Sequence, residues 1–312
     1  METQLKALAM KKVALLISDN LLPDGPETRD DRFEYVEEVG TLTPALAAEG
    51  IELVSIRWRD AAAKAAEFDA MLPLMVWDYF EGNEAAFLSE MAKAEQTTKL
   101  FNNFKVLKWN ANKSYLDELE ASGAPVIRTV TVDRVTEANV TKAFDKLGTD
   151  MLVIKPQVGG GAWRQVLYKK GDPFPSKDQL PPDAALIQDF LPSVQTEGEF
   201  SFLYFGGAFS HAVLKQAKPG DYRIQSLYGG TETPYTPTSD ERESARSVLD
   251  SLDFTPLYAR VDLLRGRDGR LRLIELEMLE PYLYLPHAKV GNDGLNKGAV
   301  MFAKALAKRL GR

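Results

Sequence analysis

Cysteine is absent from the 312 residues, and histidine occurs only as His211 and His287. The first absence removes disulfides, thiolate metal sites and a cysteine nucleophile together, and it is compatible with a reducing cytoplasm, where the protein is expected to reside. The second argues against a histidine-rich zinc site and leaves a serine hydrolase only two candidates for its base. No apolar run approaches the ~18 residues needed to cross a bilayer, so no membrane span is expected. Lys6, Lys11 and Lys12 followed by the apolar run 13–17 superficially resemble a signal peptide, but the run is short and reads as a first buried strand. A net charge of −7 lacks the basic excess that general nucleic-acid binding requires, so small molecules are the expected partners.

What remains is an ordinary globular composition, 45% hydrophobic and 27% charged, long enough for two or three modest domains. Short apolar strands at 13–17, 51–56 and 70–76 alternate with helical stretches at 35–48 and 85–94, which predicts a parallel-sheet α/β domain over residues 1–110. A helix opening at 112–119, a strand at 126–130 and a glycine-tipped hairpin over 151–168 predict a small central subdomain, 111–184. Segments 185–190, 199–205 and 209–214 with two later acidic strands predict an antiparallel sheet in a third unit, 185–312, with helices at 241–252 and 298–310. The expected class is α/β (α+β), and a homodimer is left open.

The acidic strands carry the clearest chemical signal. In the second of them, period-two alternation puts Glu275 and Glu277 on one face and Ile274, Leu276 and Met278 on the other. Like charges so close repel, and a hard divalent cation between them, with Asp262 of the preceding strand as a further oxygen donor, would relieve the repulsion. Taken alone, the pair reads equally as a solvated sheet face. Gly159, Gly160 and Gly161 lie between two strands with no Lys-Ser/Thr pair after them, so they form neither a Walker loop nor a dinucleotide fingerprint. On the motif alone they read first as a plain hairpin turn, and they also suit a flap over phosphate oxygens. Lys113, Lys155, Lys215, Arg223 and Arg260 stand at strand or helix ends beside these features and could jointly offset a triphosphate of roughly four negative charges.

The order Asn112-Lys113, then Val153-Ile154-Lys155-Pro156 with the glycine flap, Ile187-Gln188-Asp189-Phe190-Leu191, Glu197-Gly198-Glu199, Arg260-Val261-Asp262 and Glu275-Leu276-Glu277 resembles the ATP-grasp superfamily. Trp77-Asp78-Tyr79, Trp109-Asn110, the run 209–215 and the run 219–223 look like its glutathione-synthetase-like branch, which includes the cycloserine-forming cyclo-ligase. The resemblance implies an ATP-grasp fold behind an N-terminal α/β domain. It implies that Lys113, Lys155 and the glycine flap hold the phosphates of ATP, that Gln188, Asp189, Phe190 and Leu191 form the adenine hinge, and that Glu199, or alternatively Glu197, takes the ribose. Ile154 and Leu276 would sandwich the base. Asp262, Glu275 and Glu277 would hold two magnesium ions, with Glu277 standing where many relatives have asparagine, and Arg260, Arg223 and Lys215 would stabilise the transferred phosphoryl group. Loop 225–230 would border the acceptor.

The implied reaction is a carboxylate–amine ligation through an acyl phosphate. Asp19, Asp30, Asp31, Trp77, Asp78 and Tyr79, at or beyond strand ends of the first domain, suit the ammonium group of an amino acid or small derivative, although Trp77 and Tyr79 read equally as packing residues. A phosphotransferase using the same ATP site and a non-catalytic nucleotide-binding protein are the rival readings.

Overall fold

The computed structural model describes residues 10–22, 25, 29–218, 220–224 and 229–312. Its first sheet has the order β2-β1-β3-β4, all parallel, built from β1 (Lys11–Ile17), β2 (Ile51–Arg57), β3 (Ala70–Met75) and β4 (Lys99–Leu100). Apolar residues along β1 divide between two cores: Val13, Leu15 and Ile17 enter one, Ala14 and Leu16 the other. Both faces are therefore covered, as parallel sheets require. Helices α1 (Arg32–Ala48), α2 (Ala61–Lys64) and α3 (Glu84–Glu95) belong to this unit. Pro73 in β3 cannot donate to a ladder, and the β1–β3 register jumps beside it, from Leu15↔Leu72 to Ile17↔Met75.

After α4 (Phe104–Asn110) and α5 (Tyr115–Ala121) comes a central antiparallel sheet in the order β5-β8-β6-β7. Its strands are β5 (Thr129–Val132), β6 (Met151–Pro156), β7 (Val166–Lys169) and β8 (Ala185–Asp189). Helix α6 (Glu137–Leu147) covers it, started by the Thr136 hydroxyl accepting from Asn139 N and stopped at left-handed Gly148. The strand expected at 126–130 begins only at Thr129, because Val126 is spent on an isolated bridge to Leu273. Residues 185–189 do not join the acidic strands: they pair with β5 and β6, so a boundary after residue 184 would cut the central sheet. An apolar strand carries no mark of which sheet it will enter.

Following α7 (Ser193–Thr196), the last sheet has the order β11-β10-β9-β12-β13, with β9 (Glu199–Phe205), β10 (Ala208–Gln216), β11 (Thr231–Tyr235), β12 (Tyr258–Arg265) and β13 (Leu271–Glu277). Helix α8 (Ser239–Asp250) opens with a capping box between Thr238 and Glu241 and packs on β12 and β13. Helix α9 (Lys297–Leu310) instead returns to the first unit, where Phe302, Leu306 and Leu310 share a core with Leu42 and Leu46 of α1. The chain's last helix thus locks the first sheet to the last one. Among the described residues no helix is long and apolar enough to cross a membrane.

Candidate active site

The central and C-terminal sheets face each other across a cleft of about 220 Å³. Strand periodicity aims the cleft's charges: Arg260, Asp262 and Leu264 share one face of β12, while Glu199 of β9 and Lys215 of β10 stand opposite each other in register. Across the β12–β13 ladder Arg260 faces Glu277 and Asp262 faces Glu275. The second pairing sets two carboxylates directly opposite, which is destabilising without a cation.

Cations are supplied at every point. Arg260 grips Asp262 with Nε at 3.0 Å and Nη2 at 2.9 Å from Oδ2, and Nη2 also donates to Glu277 Oε1. Lys215 Nζ lies 2.5 Å from Glu199 Oε1 and 3.7 Å from Asp262 Oδ1, to which Ser201 Oγ donates at 2.5 Å. Lys113 Nζ is 3.0 Å from Glu275 Oε1 and also donates to the carbonyl of Gly159. Lys155 Nζ donates to Ile274 O at 3.2 Å. Three cations thus meet four carboxylates, with Lys155 on a carbonyl beside them, in a setting where Lys113, Lys155, Lys215, Arg260, Glu199 and Asp262 are all buried.

Burial opposes ionisation throughout, and the neighbours decide the outcome. Asp262 is held below the usual carboxylate range because Arg260 and Lys215 outweigh burial, and Glu275 likewise because of Lys113 and Lys155. Glu277 goes the other way: burial, aided by Glu280 and Glu275, outweighs Arg260 and raises it well above the normal range. Burial also lowers Lys155, with Lys113 adding to the effect, whereas Glu275 carries Lys113 upward against burial. Among the described residues no trio of side chains is arranged to hold a metal ion, since each acid of the set faces a cation instead. Carboxylate oxygens are nevertheless the hard donors that magnesium takes, and Asp262 and Glu275 already oppose each other, so the chemistry of the donor set fits such an ion.

The glycine loop closes the cleft. Gly159, Gly160 and Gly161 line it, Lys113 is tied to Gly159, and a Cβ on Gly160 would lie 2.8 Å from Cε1 of Phe80 in the first unit. A side chain there would have to push the Phe80 ring aside. Gly161, Ala162 and Arg164 all adopt left-handed backbone, and Trp163 between them is 46% exposed. A cleft of this volume lies below the usual range for ligand sites.

Comparison with known proteins completes the picture. A family model described as the N-terminal domain of the D-cycloserine synthetase DcsG matches residues 13–102. The cycloserine biosynthesis protein DcsG of Streptomyces lavendulae is 28% identical over 287 residues, which is 86% of this chain and 92% of that protein. The crystal structure of D-cycloserine synthetase DcsG matches with a TM-score of 0.81 at 26% identity, covering 96% of this chain and 99% of that one. The ATP-grasp ligase PsnB, solved with a precursor variant, Mg and ADP, shares the fold at 14% identity, with a TM-score of 0.60 over 98% of this chain and all of that one (100%). The chain is an ATP-grasp ligase.

Most of the residues singled out from the ligase's sequence converge on the cleft: Lys113, Lys155, the three glycines, Gln188, Asp189, Phe190, Leu191, Glu199, Lys215, Arg223, Arg260, Asp262, Glu275 and Glu277 all line it. Arg223 arrives clamped by Asp221, through Nη2 at 2.8 Å. Glu197 does not arrive: Arg265 Nε holds it at 2.6 Å on the other face of β12, leaving Glu199 as the acid of that segment in the cleft. Ile154 and Leu276 point into cores, and their neighbours Val153 and Ile274 line the cleft instead. The reason on β13 is a register shift at Asp262/Leu263, which puts Ile274 on the same side as Glu275. Of the acids at the first sheet, Asp78 is taken by Trp58 and Arg59, each at 2.7 Å, Asp19 by Arg57 and Arg59, each at 3.1 Å, and Asp31 by Arg29 at 2.8 Å. Trp77 and Tyr79 are buried, and Trp77 donates to Glu280 O, so both pack. Residues 225–228 of the expected acceptor loop, and Pro219 before it, lie outside the described residues.

Tyr284 is the residue that strand and motif reading missed. Its ring sits 5.6 Å from Lys215 Nζ and 5.4 Å from Arg260 Cζ, on a backbone at φ 49°, a left-handed conformation that a bulky residue holds only under constraint. The constraint is visible in the ligase: Glu38 accepts from Leu283 N, Arg260 donates to Tyr282 O, and His211 Nε2 lies 3.0 Å from Leu283 O and 3.1 Å from Tyr284 O. Burial holds His211 at about 4, so the neutral ring donates there. No periodicity marks such a position; an aromatic shortly after a strand of acids is its faint signal.

Proposed function

We propose that the ligase activates the carboxylate of an amino acid or small amino-acid derivative with ATP, and joins the activated acyl group to a nitrogen nucleophile. The observation that carries this reading is the ion-paired ladder of Arg260, Asp262, Glu275 and Glu277 with Lys113 and Lys215, set in a cleft beneath a glycine loop. A substrate carboxylate oxygen attacks the γ-phosphorus, the bond to the β-bridging oxygen breaks, and ADP leaves. The nitrogen then attacks the acyl carbon and inorganic phosphate departs with the former carboxylate oxygen. Such chemistry needs electrostatic stabilisation rather than a side-chain nucleophile.

Lys113 and Lys155 would bind the phosphates, the flap of Gly159, Gly160 and Gly161 would exclude water, and Gln188, Asp189, Phe190 and Leu191 would border the adenine. Glu199 would take the ribose, which requires Lys215 to turn from it toward the reacting phosphoryl group beside Arg260 and Arg223. Asp262, Glu275 and Glu277 would hold two magnesium ions, which supply Lewis-acid charge to the phosphate oxygens. The relative's name, cycloserine synthetase, makes ring-closing substrates the first to test.

The test is ADP release across amino acids and their O- and N-substituted derivatives, each with hydroxylamine present to trap acyl phosphate. Hydroxamate formation with a substrate-dependent ADP signal supports the ligase chemistry. ADP release that yields a phosphorylated alcohol and no hydroxamate would replace it with a phosphotransferase.

A further inference from the structure

Strand β13 ends its sheet, so one side of its backbone lacks a neighbouring strand. Inside a protein such an edge would leave polar groups stranded, and here it is closed group by group. Leu273 N donates to Pro125 O at 2.8 Å, and Leu273 O accepts from Ile127 N at 2.9 Å. Next along, Leu276 N donates to Tyr115 Oη at 2.9 Å. Asn110 then uses both ends of its side-chain amide: Nδ2 donates to Leu276 O at 2.7 Å, and Oδ1 accepts from Met278 N at 2.7 Å. Asn110 thus pairs with β13 as a residue of an adjacent strand would, on the two residues that flank Glu277. It is buried, and it comes from the end of α4, outside the sheet.

Register at this point needs such help. The β12–β13 ladder steps from Asp262↔Glu275 to Leu263↔Leu273, leaving Ile274 as the extra residue immediately before the acids. A slip of one residue would exchange Glu277 for Leu276 or Met278 on the cleft face. We propose that Asn110, assisted by Tyr115, is a positioning residue that fixes the register of β13 at Glu275 and Glu277 and thereby the affinity of the site for a magnesium-bearing nucleotide. This rests on the reading that those carboxylates, with Asp262, hold the metal. It goes beyond that reading by assigning their alignment to two side chains that touch neither nucleotide nor metal.

Calorimetric titration of ADP with and without Mg²⁺ tests it on wild type, Asn110→Ala, Tyr115→Phe and Val248→Ala. Val248 is buried in α8 within the same core and makes no bond to the edge of β13, so its truncation supplies a general loss of stability. Asn110→Ala is expected to weaken the apparent magnesium affinity of the ADP complex by about 10–100-fold, the range for outer-shell partners of a metal ligand, with ADP binding in the absence of magnesium unchanged. Tyr115→Phe, which keeps its ring, should lose less in the same direction and serves if Asn110→Ala does not fold. Magnesium affinity equal to wild type in both variants, or a loss no larger than that of Val248→Ala, would overturn the proposal. If wild type itself binds ADP equally with and without magnesium, the metal assignment fails, and the two failures are told apart by that first titration.

Discussion

Arg260 and Arg265 stand on one strand and head two networks made of the same ingredients. Arg265 donates to Glu197 at 2.6 Å and to Glu241 at 2.7 Å, and Glu241 also caps α8 and accepts from Tyr235. Every member there has a fixed structural partner, and Arg265 is half-buried on the face of β12 away from the cleft. Arg260 is buried, opens onto the cleft and shares Asp262 with Lys215, while Lys113 holds Glu275 alongside. An ion pair by itself therefore says nothing about function. What separates the two is whether the charges could change partners when something enters.

Four measurements would break or sharpen that contrast. The largest effect belongs to the double substitution Glu275→Gln with Glu277→Gln, which should abolish magnesium-dependent ADP release in a protein that still folds by circular dichroism; undiminished turnover would return the inner network to the status of the outer one. Arg260→Ala follows, with an expected loss of about 10²–10³ in ADP release from a missing electrostatic stabiliser. It should also destabilise the fold by about 3–5 kcal/mol in urea titration, because Glu277 loses its cation and buried Asp262 keeps only Lys215 and Ser201.

Arg265→Ala should do the reverse, costing stability of about 1–3 kcal/mol through two lost charge-assisted bonds while leaving kcat and KM alone. A kinetic defect without a stability loss would show that the outer network serves the chemistry too. The smallest effect concerns Glu34, which burial, then Asp31 and Glu232, push up to about 8. A carboxyl whose folded value exceeds its unfolded one favours the fold while protonated, so its contribution is full below about 4.5 and falls as pH rises through about 8. Glu34→Gln should flatten the decline in melting temperature over that window, and an unaltered profile would show that Glu34 is ionised without cost.

Much of this was legible in the sequence, and the failures have local causes. Apolar runs bounded by helices gave away β1, β2 and β3, and period-two spacing correctly put Glu275 and Glu277 on one face. That same spacing misplaced Ile274, since a bulge resets the phase and leaves no compositional trace. Glu197 was offered beside Glu199 because the two are close in sequence, whereas the arginine that claims it is 68 residues away. Asp19 and Asp78 looked free for the same reason: Arg57 and Arg59, their partners, come from another strand end, whereas Asp31 is held by its near neighbour Arg29. Pairing across a sheet is a property of topology, and a single chain read in order conceals it.

Trp163 rides at the crest of the glycine flap, half in water and 5.5 Å from the guanidinium carbon of Arg164, whereas Trp58 and Trp77 are buried in the first unit. Indole emission depends on wetness and on nearby charge. A ligand entering the cleft beneath this loop would therefore register in the emission of Trp163, read in a variant that lacks Trp109, the other tryptophan that is not buried.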